Sequence, residues 1–215
     1  MRKVSAILLA AGQSRRMGAF KPLLRFGETT VIRSCIANLS AGGVAQIVVV
    51  LGHRADDLQA HLAGLGVTLA LNPDSESEMS ESVICGLRNV EPSSRAVLVM
   101  PADHPAVGPE VIKQLIARWK RGSSLIVPTY RGQGGHPVLL DSSYKKQLEK
   151  LGLPGGLRVF LAVHGSEVER LPVASPYIAR DLDTWDDYSA LHQEIFHQPP
   201  GSTREEHNEN PGLAI

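Results

Sequence analysis

The sequence predicts an α/β/α sandwich, a mostly parallel sheet with helices on both faces, and three observations predict it. Short apolar runs alternate with helical periodicity over most of the chain. The runs are apolar at nearly every position, as strands covered on both faces are. The first run, Val4 to Leu8, feeds directly into a loop of small residues, and open α/β sheets bind their ligands at such carboxyl ends.

The elements follow in order. After Val4 to Leu8, the residues Ile32, Cys35, Ile36 and Leu39 repeat at i, i+3, i+4, i+7, a helix that Gly42-Gly43 stops. Ala45 to Leu51 is a second buried strand, and Leu58, Leu62 and Leu65 mark the next helix. Val67 to Leu71 is a third strand. Val83, Ile84, Leu87 and Val90 mark a helix entered through Ser80 or Ser82, and Ala96 to Met100 is a fourth strand. Pro109 suits the first turn of a helix that carries Ile112, Leu115, Ile116 and Trp119. Beyond Ser123 the pattern loosens. Leu125 to Val127 and Pro137 to Leu140 read as strands around a glycine-rich tip, with helices expected near Tyr144 to Leu151 and Leu157 to Val163. Val168 to Val173 and Tyr177 to Leu182 read as further strands, and Thr184, with Asp187 three residues on, as the N-cap of a last helix through Ile195. From 198 to 215 the composition falls to Pro, Gly, Ser, Glu and Asn, which predicts a disordered tail after one domain spanning 1–197.

Composition narrows the function. The 22 basic residues balance 22 acidic ones, so nothing supplies the electrostatic footprint that duplex nucleic acid demands. No apolar run approaches the roughly 20 residues of a membrane span. Arg2 and Lys3 precede an apolar stretch in the manner of a signal peptide, but that stretch ends in Gln13-Ser14-Arg15-Arg16 and reads as the first strand. Cys35 and Cys85 lie on apolar helix faces without metal-ligand spacing, which suits reduced thiols and a cytoplasmic location.

The chemistry concentrates in Leu9-Ala10-Ala11-Gly12-Gln13-Ser14-Arg15-Arg16-Met17-Gly18, followed by Lys21. Such a loop can aim several backbone N–H groups at one anion, a triphosphate above all, with Arg15, Arg16 and Lys21 reinforcing it from an exposed position. The spacing fits neither a Walker loop nor a dinucleotide fingerprint. Asp103, at the end of the fourth strand, would point into the same crevice, where one well-placed carboxylate suits magnesium. Asp183 is a second candidate ligand. Alternation sets Asp181 on the same side of the extended segment, where it either ligates or supports. His104 reads as a hydrogen-bond partner of Asp103. His53 reads as a loop residue beside Arg54, which could reach phosphate. Trp119 and Trp185 read as packing residues and Lys145-Lys146 as a solvated helix face.

The pattern L-A-A-G-x-S-x-R-M-G with a lysine shortly after resembles the signature loop of nucleotidyltransferases with a Rossmann-like fold. Within them it is most similar to the molybdenum cofactor cytidylyltransferases, which carry a MobA-like NTP transferase domain. The likeness continues through Asn72-Pro73-Asp74, Met79-Ser80-Glu81-Ser82, Gly86, Asp103-His104-Pro105, Gly134-Gly135-His136-Pro137-Val138 and Asp181-Leu182-Asp183-Thr184, from Val4 to about Leu191. It implies transfer of CMP from CTP to a phosphorylated acceptor, molybdopterin carrying molybdenum, with release of pyrophosphate. By this resemblance Arg16, Lys21 and Asp103 are catalytic, and Leu9, Ala10, Ala11, Gly12, Ser14, Asn72 and Ser80 join Arg16, Lys21 and Asp103 in binding the nucleotide. Magnesium, or manganese in its place, would sit on Asp103 and Asp183. Ser82 and His136 would face the acceptor, although a histidine before proline in a strand can also be purely structural. A molybdoenzyme or its maturation factor is the implied partner. Leu-Ala-Ala-Gly in the loop, where GTP users typically carry Leu-Ala-Gly-Gly, points to CTP. The alternatives are a cytidylyl- or uridylyltransferase for a sugar or polyol phosphate, a GTP-using guanylyltransferase, and a carrier that inserts a cofactor without turnover. Three positions depart from the family pattern. Glu78 replaces a glycine, Glu81 interrupts a serine pair, and Gly134 stands where an arginine usually precedes Gly-His-Pro. They bear on the substrate more than on the reaction class.

Overall fold

Seven consecutive buried residues make Lys3–Ala10 (β1) a strand fit only for the centre of a sheet. The structure, a computed structural model, describes residues 3–14, 16–74, 79–149 and 156–201 and places β1 there. The other strands are Arg25–Phe26 (β2), Thr29–Thr30 (β3), Gln46–Leu51 (β4), Thr68–Leu71 (β5), Ser94–Pro101 (β6), Leu125–Tyr130 (β7), Gln133–Gly134 (β8), Val138–Asp141 (β9) and Val168–Pro172 (β10). The main sheet runs β10-β7-β9-β6-β1-β4-β5, with β8 paired to β7 and β2-β3 a separate hairpin. β1 lies parallel to both β4 and β6, while β9 runs antiparallel between β6 and β7.

The helices are Val31–Ala41 (α1), Ala55–Leu62 (α2), Met79–Arg88 (α3), Pro109–Lys120 (α4), Lys145–Glu149 (α5), Gly156–Val163 (α6) and Trp185–Phe196 (α7). Strand alternation divides the core between the two faces. Ala6, Leu8 and Ala10 pack with Leu39 of α1, Leu58 of α2 and Leu115 of α4. Ile7 and Leu9 pack with Leu87 of α3, Leu148 of α5 and Phe160 of α6. The fold is therefore the expected mostly parallel sandwich. Trp119 is buried in it and donates to Asp141 at 2.8 Å. Cys35 is fully buried and Cys85 half-buried, and neither is in a disulfide.

A third, smaller cluster joins Met17, Leu24, Phe26 and Val31 to Leu182, Tyr188 and Leu191. It ties the phosphate-loop region to α7, and the Tyr188 hydroxyl donates to the Arg25 carbonyl at 2.6 Å. Thr184 caps α7 reciprocally with Asp187, as the sequence predicts. The segment expected as a strand over 177–182 instead begins as a 3-10 turn, Pro176–Ala179. Pro176 has no N–H to give a ladder, and the Ser175 hydroxyl accepts from the Tyr177 N–H and starts the turn. Arg15, Glu78, the end of the helix expected to reach Leu151 and the tail beyond Gly201 lie outside the described residues.

Candidate active site

β1 and β6 end side by side, so the loop after β1 and Asp103 after β6 open onto one crevice. Two backbone bonds fix this edge: Ala102 N–H donates to the Leu9 carbonyl at 2.9 Å, and His53 N–H to the Ala11 carbonyl at 3.3 Å. Gly52 is what allows the second approach. A Cβ there would stand 2.9 Å from the Ala11 carbonyl oxygen and 2.8 Å from its methyl. Ser14, with φ of 52°, turns the chain back, and its carbonyl accepts from both the Met17 and Gly18 N–H groups.

The crevice holds a cavity of about 230 Å³ lined by Leu9, Ala10, Ala11, Gly12, Ser14, Lys21, Asn72, Asp74, Ser82 and Asp103. Most of the expected nucleotide-binding set thus converges on it. Asn72 is buried and donates to the Ser82 hydroxyl at 3.0 Å. A second cavity of about 1160 Å³ opens beyond Leu9 and Met79, which line both. His104, His136, Asp181 and Ser80 line this larger one. Ser80 and Ser82 are therefore placed the opposite way from expectation, Ser82 in the smaller cavity and Ser80 in the larger. Two helical steps turn a side chain by about 200°, and the Met79 end of α3 stands on the ridge between the two cavities.

The acidic groups come together through one backbone bond. Leu182, fully buried, donates its N–H to the Asp103 carbonyl at 3.2 Å. On an extended segment the flanking Asp181 and Asp183 then share a side, and one carboxylate oxygen from each of Asp103, Asp181 and Asp183 lies within 4.8 Å of the others. Asp181, which the sequence left open between ligand and support, belongs to the group. Three hard oxygen donors without sulfur or imidazole are the set that magnesium and manganese take, so these residues fit such an ion.

Two cations face the triad. Lys21 Nζ lies 2.8 Å from Asp183 and 3.7 Å from Asp103, and Arg16 also pairs with Asp183. Arg16 is exposed as expected, but Lys21 is only 8% exposed. Phe20 and Pro22 are drawn into the interior on either side of it, which carries the lysine in with them. The hydrogen bond and charge of Lys21, with Arg16 beside it, hold Asp183 below the usual carboxylate range. Burial alone would raise Asp103, but the His104 hydrogen bond and the charges of His104 and Lys21 outweigh it and keep the group low. His104 Nδ1 is 2.9 Å from the Asp103 carboxylate, the partner role expected of it. Arg54 is not in the crevice; it pairs with Asp57 and covers the Phe20 ring.

His136 packs edge-on against His104 with ring centroids 5.1 Å apart, and its buried Nδ1 has no hydrogen-bond partner among the described residues. Burial, with the charge of His104, pushes its pKa down to about 4, against Asp103 and a bond to the Val99 backbone. The ring is therefore neutral at pH 7. A depressed folded-state value means the unfolded chain binds the extra proton first. The stabilisation is complete above about pH 6.5 and is lost as pH falls towards 4. Unfolding midpoints measured across that window should decline in the wild type and decline less in His136→Asn, the difference being at most on the order of 3 kcal/mol.

The sequence profile of the MobA-like NTP transferase domain matches residues 6–169 of this chain. The chain belongs to that family. Its MobA-like domain shares relatives with more than one named chemistry. Molybdenum cofactor cytidylyltransferase of Escherichia coli (strain K12) is 25% identical over 190 residues, 87% of this chain and 95% of that protein. Nicotine blue oxidoreductase of Paenarthrobacter nicotinovorans is 26% identical over 190 residues, 84% of this chain and 92% of that protein. Among solved structures, Rv0371c from Mycobacterium tuberculosis H37Rv is similar at a TM-score of 0.79 and 28% identity, covering 89% of this chain and 98% of that one. The same protein solved with manganese gives 0.74 and 26%, with the same coverage. Membership makes this MobA-like chain one of the nucleotidyltransferases of Rossmann-like fold.

Sequence reasoning overlooked Asp74 and Met79 as lining residues, and Arg158 and Arg170 in the larger cavity. For Arg170 no motif gave a signal, because strand register is what sets it beside Gly134.

Proposed function

We propose that this chain transfers CMP from CTP to molybdopterin carrying molybdenum, through a single catalytic domain spanning residues 1–197. The observation that carries the reading is the meeting of two cavities at the acidic triad: a small one bordered by the loop and Lys21, and a large one beyond it. The loop 9–14 and Lys21 would grip the triphosphate in the first, with Arg16 reaching it from the rim. The acceptor would lie in the second, against His136 and Ser80. An oxygen of the acceptor's phosphate monoester forms a bond to the α-phosphorus of CTP. The bond from that phosphorus to the bridging oxygen breaks, and pyrophosphate leaves with the electron pair. A phosphate monoester has its second pKa at about 6 and is already a dianion at neutral pH, so no base is needed. What the protein supplies is alignment and charge: Lys21 and Arg16 offset the negative charge that builds on the leaving group. A magnesium or manganese ion held by Asp103, Asp181 and Asp183 would supply Lewis-acid neutralisation of the phosphates.

By the same reading the chain acts in the cytoplasm and passes its product to a molybdoenzyme or its maturation factor. Among the described residues no helix is long and apolar enough to cross a membrane. The volume of the larger cavity, about 1160 Å³, exceeds the usual range for small-ligand pockets and favours an acceptor bulkier than a sugar phosphate.

Pyrophosphate release with CTP, UTP, GTP and ATP, each with molybdopterin, molybdenum-loaded molybdopterin or a sugar phosphate, tests the reading. The loaded cofactor and CTP should give the highest kcat/KM. A sugar phosphate as the best acceptor, GTP as the best donor, or tight binding without pyrophosphate would replace it by one of the alternatives. Ala11 is buried at the lip of the nucleotide cavity. Ala11→Gly should lower the CTP/GTP ratio of kcat/KM without inverting it, because shape differences of one methyl are worth about 1–3 kcal/mol. A ratio that holds steady would show that this position does not read the base.

A further inference from the structure

The floor of the larger cavity has a direction. Val99 of β6 stands opposite Val138 of β9, and Arg170 of β10 stands opposite Val127 of β7. All four, with Val168, line the cavity. Strands are spaced about 4.8 Å apart, so three steps put about 14 Å of valine-lined floor between β6, which leads to Asp103, and the edge strand β10. Arg170 marks the far end. On the opposite face of β10, Glu169 is taken up by Arg118 and Ser123. Among the described residues no carboxylate pairs with Arg170.

Gly134 explains how the arginine fits there. A Cβ built on Gly134 would lie 3.2 Å from a Val127 methyl and 3.7 Å from Arg170 Nη1. The space that a side chain at 134 would enter is thus where the Arg170 guanidinium lies. Gly135 N–H donates to the Pro128 carbonyl and His136 N–H to the Ile178 carbonyl, which hold the tip in this position.

We infer that Arg170, admitted by Gly134, anchors the end of the acceptor remote from its reacting phosphate. The acceptor class is then an elongated phosphomonoester with a carbonyl or oxyanion oxygen at its far end. Its body lies over the valine side chains, and the guanidinium takes the oxygen through paired N–H donors. The inference rests on the proposed nucleotidyl transfer and adds the shape and polarity of the acceptor to it.

The test uses the full chain with CTP and molybdenum-loaded molybdopterin, reading acceptor KM, kcat and CTP Kd separately. Arg170→Gln keeps the stem of the side chain and removes the charge. It should raise acceptor KM about tenfold, with kcat and CTP Kd changed less than about twofold. Arg170→Lys should recover part of the loss. Gly134→Arg added to Arg170→Gln should restore most of it by returning a guanidinium from the neighbouring backbone. An unchanged KM in Arg170→Gln overturns the inference and leaves the transfer reaction standing. A rise in KM that neither Arg170→Lys nor Gly134→Arg reduces assigns the effect to packing and also overturns it. No transfer by the wild type removes the proposed function first, and the inference with it.

Discussion

Replacing Lys21 by alanine is expected to lower turnover by about two to three orders of magnitude and to destabilise the fold as well. The first effect follows from losing a preorganised cation at the phosphates, worth about 3–4 kcal/mol in a water-poor site. The second follows from burial. Lys21 is the buried counter-ion of Asp183, at 2.8 Å, and faces Asp103 at 3.7 Å, so its loss leaves two carboxylates close together with only the exposed Arg16 beside them. That imbalance should cost about 1–3 kcal/mol. Arg16→Ala separates the two effects. Its side chain is 78% exposed, so turnover should fall while the unfolding midpoint holds. Pyrophosphate release and thermal unfolding of both variants check this. If Lys21→Ala turned over normally, the lysine would be a structural counter-ion alone.

Asp103→Asn is the second large effect. The amide keeps the shape and can still accept from His104, and the bond that aligns the late aspartates uses the Asp103 backbone carbonyl, which the substitution leaves intact. Stability should therefore change by less than about 1 kcal/mol, while turnover falls at least about a hundredfold for want of the negative ligand. Magnesium titrations of wild type and variant show the cause. The wild type should saturate and lose activity in EDTA, and the variant should remain low at every concentration.

The sandwich was legible because β1, β4 and β6 are apolar on both faces, a pattern few other structures share, and because Gly42-Gly43 and Pro109 punctuate their helices. The β2–β3 hairpin was not. Strands of two residues carry no periodicity, and Gly27, with φ of 62°, is a single turn signal. Of the site, the loop and the aspartates were visible as strand ends, and alternation brought Asp181 into view. Which cavity Ser80 and Ser82 each line was not legible, because it depends on how α3 is rotated about its axis, which no motif states. Lys21 read as exposed because charge outweighed the local signal, yet Phe20, Leu23 and Leu24 around it are the apolar company of a buried turn. Arg170 had meaning only once register set it beside Gly134.

The central claim is that the loop, Lys21 and the three aspartates form one nucleotidyl-transfer site. CTP labelled at its α-phosphorus tests it most directly, in a single turnover with molybdenum-loaded molybdopterin and magnesium. The account predicts that the label passes to the acceptor with one pyrophosphate released per transfer, and that both vanish in EDTA and in Asp103→Asn. Label remaining in CTP, or transfer that persists without metal and without the Asp103 carboxylate, would contradict it.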